Sequence, residues 1–303
     1  MSTKRFRLVA VSLGLALALP SWIAAQGARP PRAASAAAQM DQAPTESDIY
    51  CAGFFAPRAL EADMTVLGSE DGGYKNEYAD RDFVYLSKGK ATAPGGQYML
   101  VRPVKDINQK ESFPGQRQFV QRLGTLYAEI ARIQVRVVQE GSAAAEVMHA
   151  CEPVLAGDLA IPLAARPAPP YHSPKVVDRF APSSGKSTGV VVLAKEFRQS
   201  VGEGQIVYLN VGKKQGAEVG GYLRVFRSYL SMDRDVFQQM TREYPTAGMG
   251  QTSGRKLTRA ERASLPRAVL GEVLLLSVGE ESSTGIITFS RGEISPGDEL
   301  ELE

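Results

Sequence analysis

The sequence is poor in the residues that most often build metal and catalytic sites. Its 303 residues include two cysteines, Cys51 and Cys151, and two histidines, His149 and His172. A closed structural zinc site needs four ligands. His149 and Cys151 alternate along one segment, but no other cysteine or histidine completes such a site. We therefore predict no metal and no cofactor, and we interpret His149 as a strand residue beside a disulfide.

The chain also lacks an apolar run long enough to cross a bilayer, which takes about 20 residues. Three basic residues precede the apolar run Leu8–Leu19, and the small residues Ala24 and Ala25 follow it. This layout is typical of a secretory signal peptide, residues 1–25. We therefore predict a periplasmic protein, soluble or peripherally associated with the envelope, with no transmembrane anchor after cleavage. Gln26 follows the predicted cut and no cysteine lies nearby, so a lipoprotein anchor is not indicated.

No excess of positive charge is present. Signal cleavage removes three basic residues and no acidic one, which changes the formal net charge from +2 to −1. A nucleic-acid partner is therefore not predicted, because such partners require a basic surface.

Export places both cysteines in an oxidising compartment, where they favour one disulfide. A Cys51–Cys151 bond would close a loop of about 100 residues, worth roughly 4 to 5 kcal/mol in the chain-entropy model. Two separate buried thiols are the alternative, because the sequence does not supply the Cα separation.

The chain contains an internal repeat. Phe83–Val101 and Ile206–Phe226 both carry a Val-Tyr-Leu strand, a Gly-containing loop and a second strand that begins with Gly-Gln-Tyr or Gly-Gly-Tyr. Further on, a shift of 140 positions without a gap superimposes residues 128–158 on 268–298. After the Gly-Asp pair that ends this match, the positions of the alternating apolar residues are offset by one residue between the two copies. This difference predicts a change of register in the last strand.

Short strands separated by turn signals, with little helix outside the insertions, favour small β-barrels or sandwiches. We predict a mainly β protein made of two tandem small β-barrel modules with short helical insertions. Ile49–Phe55 is the predicted first strand of module 1. The predicted organisation is a signal peptide (1–25), a disordered leader (26–47), β-module 1 (48–163), a Pro-rich linker (164–188) and β-module 2 (189–303) with an insertion at 228–267.

Two catalytic motifs coincide at residues 185–189, Gly-Lys-Ser-Thr-Gly. A nucleophile elbow at Ser187 requires a strand before it and a helix after it, but a Pro-rich linker precedes and a predicted strand follows. A phosphate-binding loop requires glycine where Phe180 stands. Asp158 and Asp298 occupy equivalent Gly-Asp turns and are predicted to accept local backbone hydrogen bonds. We therefore predict no catalytic residues.

The insertion at 228–267 combines basic residues with aromatic and methionine side chains. Val236, Phe237, Met240 and Tyr244 recur at helical spacing, and Thr258 with Glu261 forms a capping-box pattern. Such a segment can dock a partner protein or an anionic polymer; a helix that only covers a barrel end has the same pattern. The predicted partner-binding residues are Phe237, Met240, Tyr244, Arg255, Lys256, Arg259 and Arg262.

The repeat resembles a known family pattern. It reads Val-Tyr-Leu-(Asn/Ser)-x-Gly, Gly-x-x-x-Gly-Gly-Tyr-Leu-x-Val-Phe-Arg, Leu-Gly-x-Val and a final Gly-Asp turn, at Val207–Gly212, Gly216–Arg227, Leu270–Val273 and Gly297–Asp298. This pattern resembles the C-terminal domain of flagellar assembly protein T and is similar to the duplicated β-region of LysM-containing envelope proteins. The resemblance implies an SH3-like barrel in a Gram-negative envelope protein with an assembly or binding role and no catalysis.

From these features we predict a non-enzymatic, exported scaffold or adaptor that binds other envelope proteins. A peptidoglycan-binding protein is the alternative, although the chain has no LysM module. An exported serine hydrolase that uses Ser187 is a further alternative.

Overall fold

Strands dominate the chain and are arranged as two copies of one unit. The structure, a computed structural model, describes residues 38–39, 43–87, 89, 92–105, 111–173, 178–229 and 257–303. The strands in these ranges are β1 (Ala38–Gln39), β2 (Phe54–Ala56), β3 (Met64–Ser69), β4 (Phe83–Ser87), β5 (Gln97–Pro103), β6 (Thr125–Val138), β7 (Ser142–Ala150), β8 (Leu159–Pro162), β9 (Thr188–Ala194), β10 (Ile206–Leu209), β11 (Tyr222–Arg227), β12 (Ala268–Val278), β13 (Ser283–Ser290) and β14 (Glu299–Leu302). The α-helices are α1 (Glu46–Tyr50), α2 (Gln116–Leu123) and α3 (Arg259–Ser264).

Twelve of these strands close into two antiparallel barrels. Barrel 1 has the order β6-β5-β8-β3-β4-β7 and closes because β7 pairs with β6. Barrel 2 has the order β12-β11-β14-β9-β10-β13 and closes because β13 pairs with β12. β2 adds to β6 and β1 adds to β13. The predicted fold class, mainly β with two tandem small barrels, is confirmed.

The repeat extends to the irregularities of the strands. The β6–β7 ladder has bulges after Arg132 and Val135, and the β12–β13 ladder has bulges after Glu272 and Leu275, in each case 140 positions later. Bulges bend and twist a strand locally, so their duplication means that both barrels curve in the same way. The match at a shift of 140 that the sequence predicts is thus a match of backbone geometry.

Two details of the predicted alignment are wrong. The turns before β5 and β11 correspond at Gly95 and Gly220, whose N–H groups donate to equivalent carbonyls of β6 and β12. Tyr98 consequently occupies the position of Leu223, one residue away from the predicted match with Tyr222.

The predicted change of register in the last strand does not occur. Ala160 pairs with Leu100, and Leu300 pairs with Val225, so the shift of 140 continues through β8 and β14. The alternating apolar residues occupy different positions in β8 and β14 for another reason. Leu159 and Ile161 point out of barrel 1 and pack against an apolar cluster outside it.

That outer cluster joins the two barrels. Each barrel has its own inner core, and a third core lies between them. Its buried members are Ile49, Tyr50, Ala52, Phe55, Ala56, Met99, Val101, Phe113, Leu123, Leu126, Tyr127, Val190, Val192, Leu193, Ile206, Tyr208, Leu274, Leu276 and Ile286. The outer face of barrel 2 is therefore buried against barrel 1 and its flanking segments.

The sequence of β12 reflects this burial on two faces. All four residues of Val273–Leu276 are apolar and buried, because successive side chains point alternately into barrel 2 and into the third core. The equivalent stretch Ile133–Arg136 alternates apolar and polar residues, since one face of β6 is exposed to solvent there. Arg136 and Glu146 form an ion pair of 2.7 Å on that face, at the positions of Leu276 and Ile286.

The segment before β2 differs from its prediction. Ile49 and Tyr50 end helix α1, and only Phe54–Ala56 is a strand, whereas Ile49–Phe55 was expected to be a strand throughout. The helix forms here because Thr45 and Asp48 make a capping box that satisfies its first backbone N–H groups. The described residues of the predicted leader include β1 and the start of α1.

The described part of each insertion contains one short helix. Helix α2 lies between β5 and β6, and α3 begins at the predicted capping box of Thr258 and Glu261. The side-chain amide of Gln116 in α2 donates to the carbonyl of Val192 in β9 at 2.8 Å, so the insertion of barrel 1 contacts barrel 2. The helix predicted at 235–244 lies outside the described residues.

The described parts of the Pro-rich connection contact barrel 2. Residues 164–173 and 178–187 are neither helix nor strand. The His172 ring stacks on Tyr222 at 3.9 Å, and Ser183 donates to Glu301 at 3.0 Å. Ala181 is buried.

Candidate functional site: a groove between the barrels

A groove of about 650 Å³ lies where the two barrels meet. It is lined by Cys51, Ala52, Gly53, Arg102, Pro103, Val104, Lys105, Leu126, Ala128, Glu129, Glu152, Leu155, Ala156, Gly157, Asp158, Ala194, Lys195, Glu196, Phe197 and Tyr208. Barrel 1, barrel 2 and the segment before β2 all contribute to this lining. The groove therefore exists only because the third core holds the barrels together.

The floor of the groove is apolar. Val104, directly after β5, and Leu126, at the start of β6, supply large side chains, and Leu155 supplies another from the turn before β8. Phe197 is exposed at the rim. Charged side chains, among them Arg102, Lys105 and Glu152, complete the lining, and a concave apolar surface with polar groups around it is a common form of a binding site in a protein.

Arg102 forms one wall of the groove and is held in place by Asp158. Its Nε donates to Oδ1 at 2.7 Å and its Nη2 donates to Oδ2 at 2.8 Å, a bidentate arrangement. Asp158 also accepts from the backbone N–H of Leu155 at 2.8 Å. The predicted local hydrogen bond of Asp158 is confirmed, but its arginine partner was missed.

The same clamp is present in barrel 2. Arg227 donates to both carboxylate oxygens of Asp298 at 2.6 Å, and Asp298 accepts from the N–H of Ser295 at 2.8 Å. The sequence contained a signal for this pair, because an arginine lies at or next to the last residue of β5 and β11 alike and a Gly-Asp turn follows in both copies. In each barrel the clamp links the end of one strand to the turn that precedes the neighbouring strand of the sheet.

A buried ion pair anchors the segment before β2 behind the groove. Glu129 Oε1 lies 2.5 Å from Arg166 Nη2, and Glu129 Oε2 accepts from the N–H of Gly53 at 3.0 Å. Arg166 also donates to the carbonyl of Ile49 at 3.1 Å and lies over the ring of Tyr50. Arg166 thus supplies the counter-charge of a carboxylate that is buried in the lining, which indicates a structural role for Glu129.

Tyr208 joins the barrels at the inner end of the groove. Its hydroxyl donates to the carbonyl of Ala52 at 2.8 Å, and its ring packs edge-on against Phe55. Burial raises the pKa of Tyr208 above its usual value, and the nearby charge of Glu129 acts in the same direction. The side chain is thus held neutral as a hydrogen-bond donor.

The turn after β9 carries the ionisable groups of the rim. Lys195 Nζ donates to the carbonyl of Cys51 at 2.7 Å and is half-buried. Glu196 and Phe197 both have positive φ, 59° and 55°, a region that residues other than glycine rarely adopt. Hydrogen bonds from Arg198 lower the pKa of Glu196. Consecutive strained residues are held only by a well-determined surrounding structure and often mark binding sites.

The disulfide is confirmed and lies beside the groove. Cys51 and Cys151 are bonded, with their Cα atoms 5.5 Å apart. His149 Nε2 lies 3.8 Å from Cys51 Sγ, as expected for a strand histidine beside a disulfide. The ligand atoms of these three residues lie within 4.8 Å of one another. Both sulfurs are bonded to each other, so neither is the thiolate that a metal site would need.

The Gly-Lys-Ser-Thr-Gly motif lies at the start of a strand. The strand β9 begins at Thr188, directly after Ser187, so no helix follows the serine. The carbonyl of Ser187 accepts from the N–H of Leu302, and Lys186 donates to the carbonyl of Glu303. These contacts place the motif at the edge of β9 as part of the strand pairing.

The predicted partner-binding residues do not line the groove where they are described. Arg259 and Arg262 lie on α3, where Arg259 is exposed and Arg262 is half-buried. Phe237, Met240, Tyr244, Arg255 and Lys256 lie outside the described residues, so their assignment stays a prediction.

No protein-family model matches the chain, and no curated protein matches it significantly in sequence. The resemblance to flagellar assembly protein T and to LysM-associated regions therefore stays an expectation. Among the helices that the structure describes, none has both the length and the apolar character needed to cross a membrane.

Proposed function

We propose that this protein is a non-enzymatic scaffold or adaptor of the cell envelope, which holds a segment of another envelope protein in the groove between its barrels. The observation that carries the proposal is the groove itself, an apolar cleft of about 650 Å³ built on two closed barrels with a common core. Sites on rigid elements need little reorganisation on binding, which favours affinity.

The lining suits a peptide segment. Val104, Leu126 and Leu155 offer an apolar floor for one or two large side chains. Lys195 uses one N–H for the carbonyl of Cys51 and retains donors for a backbone carbonyl or carboxylate of the bound segment. An apolar centre with a polar rim is the common anatomy of protein interfaces.

The disulfide and the N-terminal sequence support an exported location. A bond between Cys51 and Cys151 persists in an oxidising compartment and is rare in a cytosolic protein. The basic and apolar layout of residues 1–25 is that of a secretory signal. The periplasm is the compartment that agrees with both features.

The proposal is tested in intact cells with a photo-crosslinking amino acid at Phe197, on the rim of the groove. We expect a discrete crosslinked product with one envelope protein, and we expect it to disappear when Leu155 is replaced by glutamate. The matched control places the probe at Val219, an exposed apolar position of barrel 2 outside the groove. Equal products at both positions would contradict a specific groove.

Co-sedimentation with purified sacculi tests the peptidoglycan alternative. The scaffold proposal expects the mature protein to stay in the supernatant when no other protein is present. Pelleting that Leu155→Glu abolishes would instead make the groove a peptidoglycan site.

A further inference from the structure

One outer face is covered by other parts of the chain in barrel 2 but is exposed in barrel 1, and this difference points to a second binding surface. In barrel 2 this face contains Val192, Tyr208 and Gly297. The hydrogen-bond pattern equates these residues with Leu67, Tyr85 and Gly157 of barrel 1. The N–H of Gly157 donates to the carbonyl of Val66 just as that of Gly297 donates to Val191, and Tyr85 and Tyr208 stand at equivalent positions of β4 and β10.

On barrel 2 the chain itself covers this face. Val192 is 0% exposed, and its carbonyl accepts a hydrogen bond from Gln116. Tyr208 is 4% exposed and packs against Phe55. A Cβ atom added to Gly297 would meet the ring of Phe113 at 3.0 Å, so that ring lies directly on the turn. The covering elements are thus two phenylalanines and a glutamine on segments from the barrel 1 half of the chain.

On barrel 1 the same face is open. Leu67 is 56% exposed and Tyr85 is 42% exposed. No described atom lies within 4 Å of the position that a Cβ on Gly157 would take. Gly68 stands where barrel 2 has Leu193, so a side chain is missing beside Tyr85. A recess of about 560 Å³ results, and Leu67, Gly68 and Tyr85 are among the residues that line it.

Part of the outer surface of barrel 1 carries polar side chains that face solvent. The Arg136–Glu146 ion pair replaces the buried Leu276 and Ile286 of barrel 2. Leu67 and Tyr85 have not been replaced by polar residues in this way, although both side chains are exposed. Exposed apolar side chains around a recess mark an interaction site more often than a random surface does.

We propose that this open face, formed by Leu67, Gly68, Tyr85 and Gly157, binds a phenylalanine-bearing segment of a partner protein. The face of barrel 2 shows what such a surface accepts: a phenylalanine ring on the glycine turn and an amide donor to the neighbouring strand carbonyl. A second copy of this chain does not supply that segment freely, because its own Phe55 and Phe113 already cover its barrel 2. The open face adjoins the groove at Ala156, which lines both cavities, and at Gly157, which also lines the groove.

The probe for the test is a labelled synthetic peptide of residues Glu111–Gly124, the segment that carries Phe113 and Gln116. It is titrated against the intact disulfide-bonded protein, whose barrel 2 face is already covered, and binding is followed by fluorescence anisotropy. We expect saturable binding that weakens at least about tenfold when Phe113 of the peptide is replaced by alanine, as for an aromatic anchor. The protein variant Leu67→Glu is expected to weaken binding to the same extent.

Two matched variants complete the design. Val219→Glu adds the same charge at another exposed apolar position and should leave peptide affinity unchanged. Phe197→Glu, on the side of the groove that barrel 2 supplies, should also leave it unchanged, which separates this surface from the proposed function. Affinity that is equal for wild type and Leu67→Glu, or no binding at millimolar peptide, would overturn the proposal. Self-association of the intact protein that Leu67→Glu abolishes would also overturn it, in favour of a contact between copies.

Discussion

Tyr208 and Tyr85 hold the same position in the two repeats but have different surroundings. Tyr208 is buried between the barrels and donates its hydroxyl proton to the carbonyl of Ala52, whereas Tyr85 lies on the open face of barrel 1. The contribution of a residue to stability therefore depends on the segments that pack against it and not only on its position in the repeat.

Replacing Tyr208 with phenylalanine should destabilise the protein by about 1 to 2 kcal/mol, because the buried carbonyl of Ala52 loses its donor. The same change at Tyr85 should alter the free energy of unfolding by less than about 0.5 kcal/mol, as at most surface positions. Urea unfolding of both variants measures the difference. Equal effects would contradict the assigned contact.

Glu301 is a buried carboxylate whose pKa is lowered. Burial by itself raises the pKa, but hydrogen bonds from Arg267, Ser183 and the N–H of Ser184 together outweigh burial. A folded pKa below the ordinary 4.5 means that the ionised group stabilises the fold above that pH. This stabilisation is lost as the pH falls through the folded pKa.

The stability difference between wild type and Glu301→Gln should therefore be largest near neutral pH and should shrink between about pH 5 and pH 3. Chemical unfolding across this range provides the measurement. Glu299→Gln, two residues earlier on β14, is the matched control. A difference that stays constant down to pH 3 would show that the charge of Glu301 does not contribute.

At the scale of elements, the arginine–aspartate clamps tie β5 to the turn before β8 and β11 to the turn before β14. Both aspartates are buried, at 2% and 5% side-chain exposure. Removing the arginine leaves a buried carboxylate without its counter-charge, which is costly.

Arg102→Met and Arg227→Met should each destabilise the protein by about 3 kcal/mol or more. Arg198→Met, which breaks an exposed pair with Glu196, should cost less than about 0.5 kcal/mol. Thermal and urea unfolding of the three variants test this ranking. A cost for Arg198→Met as large as that for the clamp variants would refute the structural role of the clamps.

The disulfide ties helix α1 to the end of β7 across 100 residues of chain. Replacing both cysteines with serine should lower the free energy of unfolding by roughly 4 to 5 kcal/mol, because the unfolded chain regains its loop entropy. Reduced wild type should show the same loss, and reductant should have no further effect on the double variant. If reduction leaves the unfolding midpoint unchanged, the bond contributes nothing to stability.

At the scale of the whole molecule, the two barrels are joined because their outer faces are not equivalent. Leu274, Leu276 and Ile286 of barrel 2 are buried in the third core, and their counterparts in barrel 1 are Gln134, Arg136 and Glu146. The apolar residues of barrel 2 favour its contact with barrel 1. The polar residues at the equivalent positions of barrel 1 prevent that face of barrel 1 from making the same kind of contact. The chain therefore forms one pair of barrels rather than an open series.

Transferring the polar pair tests this account. The double variant Leu276→Arg with Ile286→Glu should keep barrel 2 folded and detach it from barrel 1, since an ion pair replaces two apolar side chains in the third core. We expect two unfolding transitions in place of one and a larger radius of gyration in small-angle X-ray scattering. The reverse exchange at Arg136 and Glu146 should leave the single transition intact. A single transition in the first variant would contradict the model of a shared core.

Much of the barrel architecture could be predicted from sequence, because the duplication superimposes turn glycines and apolar strands that each barrel needs. The register of β8 was predicted wrongly for a physical reason: Leu159 and Ile161 are apolar on account of the third core, not of the barrel interior. The continuous apolar stretch Val273–Leu276 was the available signal that barrel 2 is buried on both faces. The groove was missed because it belongs to neither repeat alone.

The sequence by itself determined the mainly β class, the duplication of the unit, the glycine turns and the disulfide partners. Periodicity, glycine positions and the count of two cysteines are local or additive properties, so they can be read along the chain. Only the tertiary structure decided which faces meet. The groove and the open face depend on contacts such as Tyr208 with Ala52 and Gln116 with Val192, between residues 156 and 76 positions apart. Such contacts follow from three-dimensional packing, and no spacing within a single repeat encodes them.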